Sequence, residues 1–137
     1  LIKGTSQGFT TVNSAVIMTF DNESFDPNGM HESMTNPTRV TPGVAGKYLV
    51  MSTVWLTITS GTSITSTQCA IYKNSSLYQS IFYREPASSA TAFEKYWRIG
   101  DTIDMTASDY IEIDVQVNAT AATTTAYATA SVLYLGP

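Results

Sequence analysis

The chain has 137 residues, the length of one domain with a substantial hydrophobic core. Hydrophobic residues make up 43% of it, which excludes a disordered chain, and 7 basic against 11 acidic residues count against a nucleic-acid-binding protein. No apolar run approaches the roughly 20 residues of a membrane helix, and the first residues lack the pattern of a signal peptide.

Abundant Thr, Val, Ile, Tyr and Phe, with apolar side chains at every second position, predict an almost wholly β protein. A first strand is predicted at residues 9–20. A loop follows, because Pro27 and the pair Asn28-Gly29 disfavour regular structure. A short edge strand is predicted at residues 38–41.

The longest predicted strand, residues 47–59, has two apolar faces. The face assigned to the core comprises Tyr48, Val50, Ser52, Val54, Leu56 and Ile58. The opposite face begins with Leu49, Met51 and Trp55, and such a face predicts contact with another chain or with a covering loop.

The remaining predicted strands are residues 64–73, 77–83, 91–105, 110–117 and 126–135. Asn74-Ser75-Ser76 predicts a hairpin turn, residues 85–90 a loop, and Gly100-Asp101 a turn or bulge within the strand at 91–105. Short strands with turns about every 8–12 residues predict an antiparallel β-sandwich or jelly roll.

Cys69 and His31 are the only cysteine and histidine, which excludes most enzyme classes. One cysteine forms no internal disulfide, and we expect Cys69 to be a small buried side chain. A catalytic triad would have to use His31, yet no G-x-S-x-G or related nucleophile motif is present.

Four segments, in this order, resemble the signature of complement globular-head (C-one-q-type) domains, relatives of the tumour necrosis factor jelly roll. PGVAGKYLV resembles P-x-x-G-x-Y-x-F, and AIYKNSSL resembles a strand and turn of the form L-x-x-N-G with Ser75 in place of Gly. MTASDYIEIDV is similar to L-x-x-G-D-x-V-x-L, and YATASVLYLGP is similar to the last strand of the family. The resemblance implies an all-β jelly-roll β-sandwich that assembles as a homotrimer.

Residues 25–50, FDPNGMHESMTNPTRVTPGVAGKYLV, resemble a subgroup found in virion proteins of tailed bacteriophages. This resemblance implies a non-enzymatic protein on the virion surface, outside the cell, with no cofactor, nucleic acid or membrane as partner. The leading hypothesis is a capsid decoration or head-fibre protein that contacts the major capsid protein or tail proteins. The alternative is a receptor-binding tip of a tail fibre that recognises a host glycan or surface protein. A secreted complement-like lectin is a third hypothesis.

The domain hypothesis places an N-terminal arm or tether at residues 1–8 and the jelly roll at residues 9–137. Protomers of the resembled family pack one sheet face around a threefold axis, so aromatic and apolar side chains on such a face are candidates for the contact between copies. The trimer-interface candidates are Tyr48, Met51, Trp55, Tyr110, Tyr127, Leu133 and Tyr134.

A cluster of polar residues near His31 could supply ligands to Ca²⁺, although its spacing differs from an EF-hand loop. We favour a structural role, in which Asp26 and Asn28 shape a turn and His31 bonds to nearby backbone. Glu32 belongs to the same cluster, and Arg39 is expected to pair with a carboxylate. The sequence predicts neither a definite metal site nor its absence.

An acidic run and a set of aromatic residues are further candidates. Asp101, Asp104, Asp109, Glu112 and Asp114 form the acidic run. Its last two carboxylates point the same way from one strand, which would suit glycosidase chemistry or Ca²⁺, but we favour a solvated strand face. The aromatic residues that could stack on sugars are Tyr72, Tyr78, Phe82, Tyr83, Tyr96 and Trp97, and we expect core packing to explain most of them.

Overall fold

The computed structural model describes residues 2–24, 26, 28–32, 34–88 and 92–137. Within these residues every element is a strand, so no helix is available to cross a membrane. The strands are β1 Ile2–Lys3, β2 Gln7–Phe9, β3 Ala15–Ile17, β4 Asn22–Glu23, β5 His31–Glu32, β6 Asn36–Val40, β7 Gly46–Thr62, β8 Ile64–Lys73, β9 Ser76–Ser88, β10 Phe93–Met105, β11 Ile111–Asn118 and β12 Ala121–Gly136.

Two antiparallel sheets form the sandwich. The front sheet has the strand order β10-β7-β12-β1-β4, with β2 also paired to β12. The back sheet has the order β5-β6-β11-β8-β9, with β3 also paired to β11. This arrangement confirms the predicted all-β antiparallel jelly-roll sandwich.

The core lies between the sheets, and β7 shows why the sequence folds this way. All six residues predicted for its core face are buried, and none is more than 4% exposed. The facing residues of β12 are small, because Ala126, Ala128 and Ala130 alternate with outward side chains. Trp97 of β10 is the largest fully buried side chain of this core.

Several predicted boundaries need correction. The strand at 64–73 is confirmed as β8, whereas β7 and β9 are longer than predicted. The register between β10 and β7 runs without a shift through Gly100 and Asp101, so the predicted turn or bulge there is wrong. Gly100 is required by close packing instead, since a Cβ atom on it would lie 2.9 Å from the Val50 carbonyl oxygen. Of the predicted loop at 85–90, residues 85–88 belong to β9, and residues 89 and 90 lie outside the described residues, as does residue 91 of the next predicted strand.

The N-terminal segment also differs from the prediction. β1 and β2 both pair with β12, and Ile2 is buried in the core, so most of the segment expected to be a separate arm is part of the front sheet. The predicted strand at 9–20 is interrupted at Asn13, whose φ of 59° is left-handed. Its side chain donates to the Ala119 carbonyl oxygen at 2.9 Å, which offsets the backbone strain.

The predicted hairpin turn at residues 74–76 is confirmed, with both central residues in the left-handed region. Asn74 has φ 51° and Ser75 has φ 60°, the geometry of a type I′ turn between β8 and β9. The Asn74 side chain donates to Asp109 and accepts from the Tyr110 amide, which joins this hairpin to the turn before β11.

Ser75→Gly should raise the free energy of unfolding by about 0.5–1 kcal/mol, because glycine adopts positive φ without the steric cost that serine pays. Urea denaturation monitored by tryptophan fluorescence measures the change. The matched control is Ser76→Gly, which lies in β9 and should destabilise the protein. Equal effects at the two positions would contradict the turn geometry.

Candidate functional site

The outward side of β12, β7 and β10, which we call the front face, carries a row of aromatic side chains. Tyr127 pairs in register with Trp55, and Trp55 pairs with Tyr96. Trp55 is 49% exposed and Tyr96 is 53% exposed. Strand pairing therefore brings together residues from three separate parts of the chain into one outward aromatic surface, in which Tyr127 is half-buried.

Aliphatic side chains extend the front face toward the chain end of β12. Leu133 pairs with Leu49, and Met51 lies one row closer to the aromatic row. Met51 is 48% exposed and Leu133 is 57% exposed. Between these rows lies a shallow depression of about 660 Å³, with Thr53 and Arg98 among its lining residues. Large apolar side chains grouped on one sheet face are typical of an interaction surface.

One cation lies on this face beside the aromatic row. Arg98 donates from Nε to the Tyr96 hydroxyl oxygen at 3.3 Å, and its guanidinium carbon lies 5.7 Å from the centre of the Tyr96 ring. The hydrogen bond from Arg98 lowers the pKa of Tyr96. Together the two residues form an amphipathic edge of the kind that is enriched at protein interfaces.

The structure brings together four of the seven interface candidates. Met51, Trp55, Tyr127 and Leu133 lie on the front face. Tyr48 points the other way and is buried inside the protomer, where its hydroxyl donates to the Val44 carbonyl oxygen at 2.8 Å.

The other two candidates lie elsewhere. Tyr134 packs on Tyr48 with 5.2 Å between ring centres, at the end of the sandwich. Tyr110 lies beside β11 in the back sheet, under the guanidinium of Arg39 at 4.0 Å. Sequence reasoning did not place Tyr96 on the front face, since only the register between β10 and β7 sets it beside Trp55.

The cluster around His31 has the structural role that we favoured. The His31 amide donates to Asp26 Oδ2 at 2.8 Å. Its ring nitrogens Nδ1 and Nε2 lie 2.8 and 2.7 Å from the carbonyl oxygens of Arg39 and Phe20. Arg39 pairs with a carboxylate as expected, through Nε to Glu112 Oε1 at 3.0 Å.

The acidic run does not form one solvated face. Glu112 and Asp114 are only 3% and 5% exposed, so the prediction that they face solvent is wrong. β11 is flanked by β8 on one side and by β3 and β6 on the other, and side chains of these neighbours cover it. Asp104 is exposed on β10, and Asp109 forms an ion pair with Lys73 at 3.0 Å. Within the described part of the chain, no three His, Cys, Asp or Glu side chains are grouped to hold a metal ion.

The aromatic residues considered for sugar stacking are mostly exposed, which corrects the expectation that the core explains most of them. Trp97 is fully buried, but Tyr78, Phe82 and Tyr83 are each more than 40% exposed. These three lie on β9, an edge strand of the back sheet, and an edge strand has a neighbour on one side only.

Burial raises the pKa of Cys69 to about 12, so this thiol is the small buried side chain that the sequence predicts.

The fold is shared with a known domain. The chain is similar to the globular domain of a zebrafish complement 1qA protein, with a TM-score of 0.53 and 12% sequence identity. The similarity covers 93% of this chain and 92% of that one. At this identity the likeness establishes the fold alone, and it confirms the complement-head jelly roll that the motifs predicted. No family model matches the sequence, and no curated protein matches it.

His31→Ala should lower the free energy of unfolding by about 2–4 kcal/mol, because it removes the ring that faces two carbonyl oxygens in a buried position. Urea denaturation measures the loss. The control is Glu32→Ala at the exposed neighbouring position, which we expect to change stability by less than about 0.5 kcal/mol. Similar small effects of both substitutions would contradict the structural role of His31.

Proposed function

We propose that this protein is a non-enzymatic, homotrimeric structural protein of a phage virion, and that the front face forms the contact between its copies. The observation that carries the proposal is the outward aromatic row of half-buried Tyr127 and exposed Trp55 and Tyr96, with exposed Met51 and Leu133 beside it. Burying such side chains against a second copy would remove apolar surface from water and so drive association.

The composition of the front face fits a contact between copies better than a solvent-facing surface. Its centre holds Tyr, Trp and Met, which are residue types enriched in the core of protein interfaces, together with apolar Leu. Thr and Ser occupy most of the remaining outward positions of β7 and β12, so few charges would lose water on these two strands. The outward charges Glu94, Arg98 and Asp104 lie on β10, at the edge of the front face. The complement-type fold gives additional support, because the family resemblance implies a trimer built on such a sheet face.

The virion part of the proposal rests on the resemblance of residues 25–50 to virion proteins of tailed phages. Three residues of this segment form hydrogen bonds within the back sheet. Asp26, His31 and Arg39 join its successive segments to one another. A capsid decoration or head-fibre protein works by shape and repetition. Many weak contacts on a symmetric particle give strong attachment through high effective concentration.

Native mass spectrometry tests the trimer. We expect the wild-type chain to be a trimer at micromolar concentration and Trp55→Glu to be a folded monomer, because the charge would be buried at the contact. Phe82→Glu is the matched control, since Phe82 is also 49% exposed but lies on the back sheet. A wild-type monomer, or equal dissociation by both substitutions, would overturn the proposed interface.

Binding to particles and cells separates the two virion roles. For a decoration or head-fibre protein, we expect empty capsids to retain the trimer and host cells not to retain it. A trimer that binds host cells and ignores capsids would instead favour the receptor-binding tip of a tail fibre.

A further inference from the structure

Asp114 is a largely buried carboxyl group, and one of its two oxygens has no hydrogen-bond partner among the described residues. It lies on the outward side of β11, yet it is 5% exposed, because Ala70 of β8 and Ile17 of β3 flank it in register. Gln68 and Tyr72 line the same narrow crevice. Among the described residues no group hydrogen-bonds to its Oδ1 atom, which is itself buried.

The charged groups around Asp114 do not neutralise it. Glu112 lies two positions earlier on the same strand and adds a second negative charge. Arg39 pairs with Glu112 at 3.0 Å and lies over the Tyr110 ring, so its charge is already engaged by another carboxylate. β8 contributes the titratable groups Tyr72 and Cys69, and β3 contributes only apolar side chains.

An ionised Asp114 would therefore be a desolvated charge beside a like charge, and adding a proton removes that cost. We propose that the Asp114 carboxyl is a proton-binding site that strengthens the back sheet as the surroundings become mildly acidic. This proton-binding site is independent of the virion hypothesis, since it depends only on the burial of Asp114 by neighbouring strands within one protomer.

The direction of the effect follows from proton linkage. Burial, and secondarily the charge of Glu112, raises the pKa of Asp114 from 3.8 to about 6. Between these pH values the folded chain holds a proton that the unfolded chain releases, so stability increases as the pH falls. The contribution is complete below 3.8 and is lost as the pH rises through about 6.

Urea denaturation across pH 4–8 tests the proposal. Asp114→Asn removes the buried charge at every pH, so its urea midpoint should exceed that of the wild type at pH 8, and the difference should close by pH 4. The control is Asp104→Asn, because the Asp104 side chain is 84% exposed and should leave the pH dependence unchanged. Parallel pH profiles for wild type and Asp114→Asn would overturn the proposal.

Carboxyl ¹³C NMR provides a direct readout that needs no substitution at Asp114. The wild-type Asp114 resonance should titrate near pH 6. In Glu112→Gln it should titrate at lower pH, because the like charge is gone and Arg39 is released. An Asp114 resonance that titrates in the range of exposed aspartates, with no movement in Glu112→Gln, would also overturn the proposal.

Discussion

The central position of β7 in the front sheet is the constraint on which the rest of the structure depends. This strand is hydrogen-bonded to β12 on one side and to β10 on the other over most of its length. Because strand side chains alternate, one register decides two surfaces at once: the buried face from Tyr48 to Ile58 and the exposed face with Trp55. A slip by one residue would expose the core side chains and bury Trp55 between the sheets.

Polar contacts of side chains with the backbone and with one another help to hold the back sheet together. A chain of hydrogen bonds runs from Asp26 through His31 to Arg39 and on to Glu112, and it joins β5, β6 and β11. Each of these groups is partly or fully buried, so each needs its partner to offset the loss of water. Asp114 is not part of this chain of contacts, and its buried Oδ1 atom has no hydrogen-bond partner among the described residues, so we expect its protonation to affect the stability of the sheet.

The two outward faces of the sandwich consequently differ in chemistry. The front face is apolar and aromatic at its centre, and the outward side of β11 in the back sheet carries carboxylates and amides. Association of copies through the front face would leave the back sheet facing the surroundings. The proposed interface and the proton-binding Asp114 would then act separately, one in assembly and the other in the response of each protomer to pH.

The sequence by itself determined the all-β sandwich, the core face of β7, the hairpin turn at Asn74-Ser75 and the structural role of His31. These are local properties: alternation, turn chemistry and hydrogen-bonding capacity are encoded by neighbouring residues. Tertiary structure alone decided which strands are neighbours, and hence that Tyr96 meets Trp55, that Tyr110 lies far from the front face and that Asp114 is buried. Alternation of polar and apolar residues along a strand predicts that the polar side chains face solvent. Whether water reaches them depends on the strands packed beside that strand.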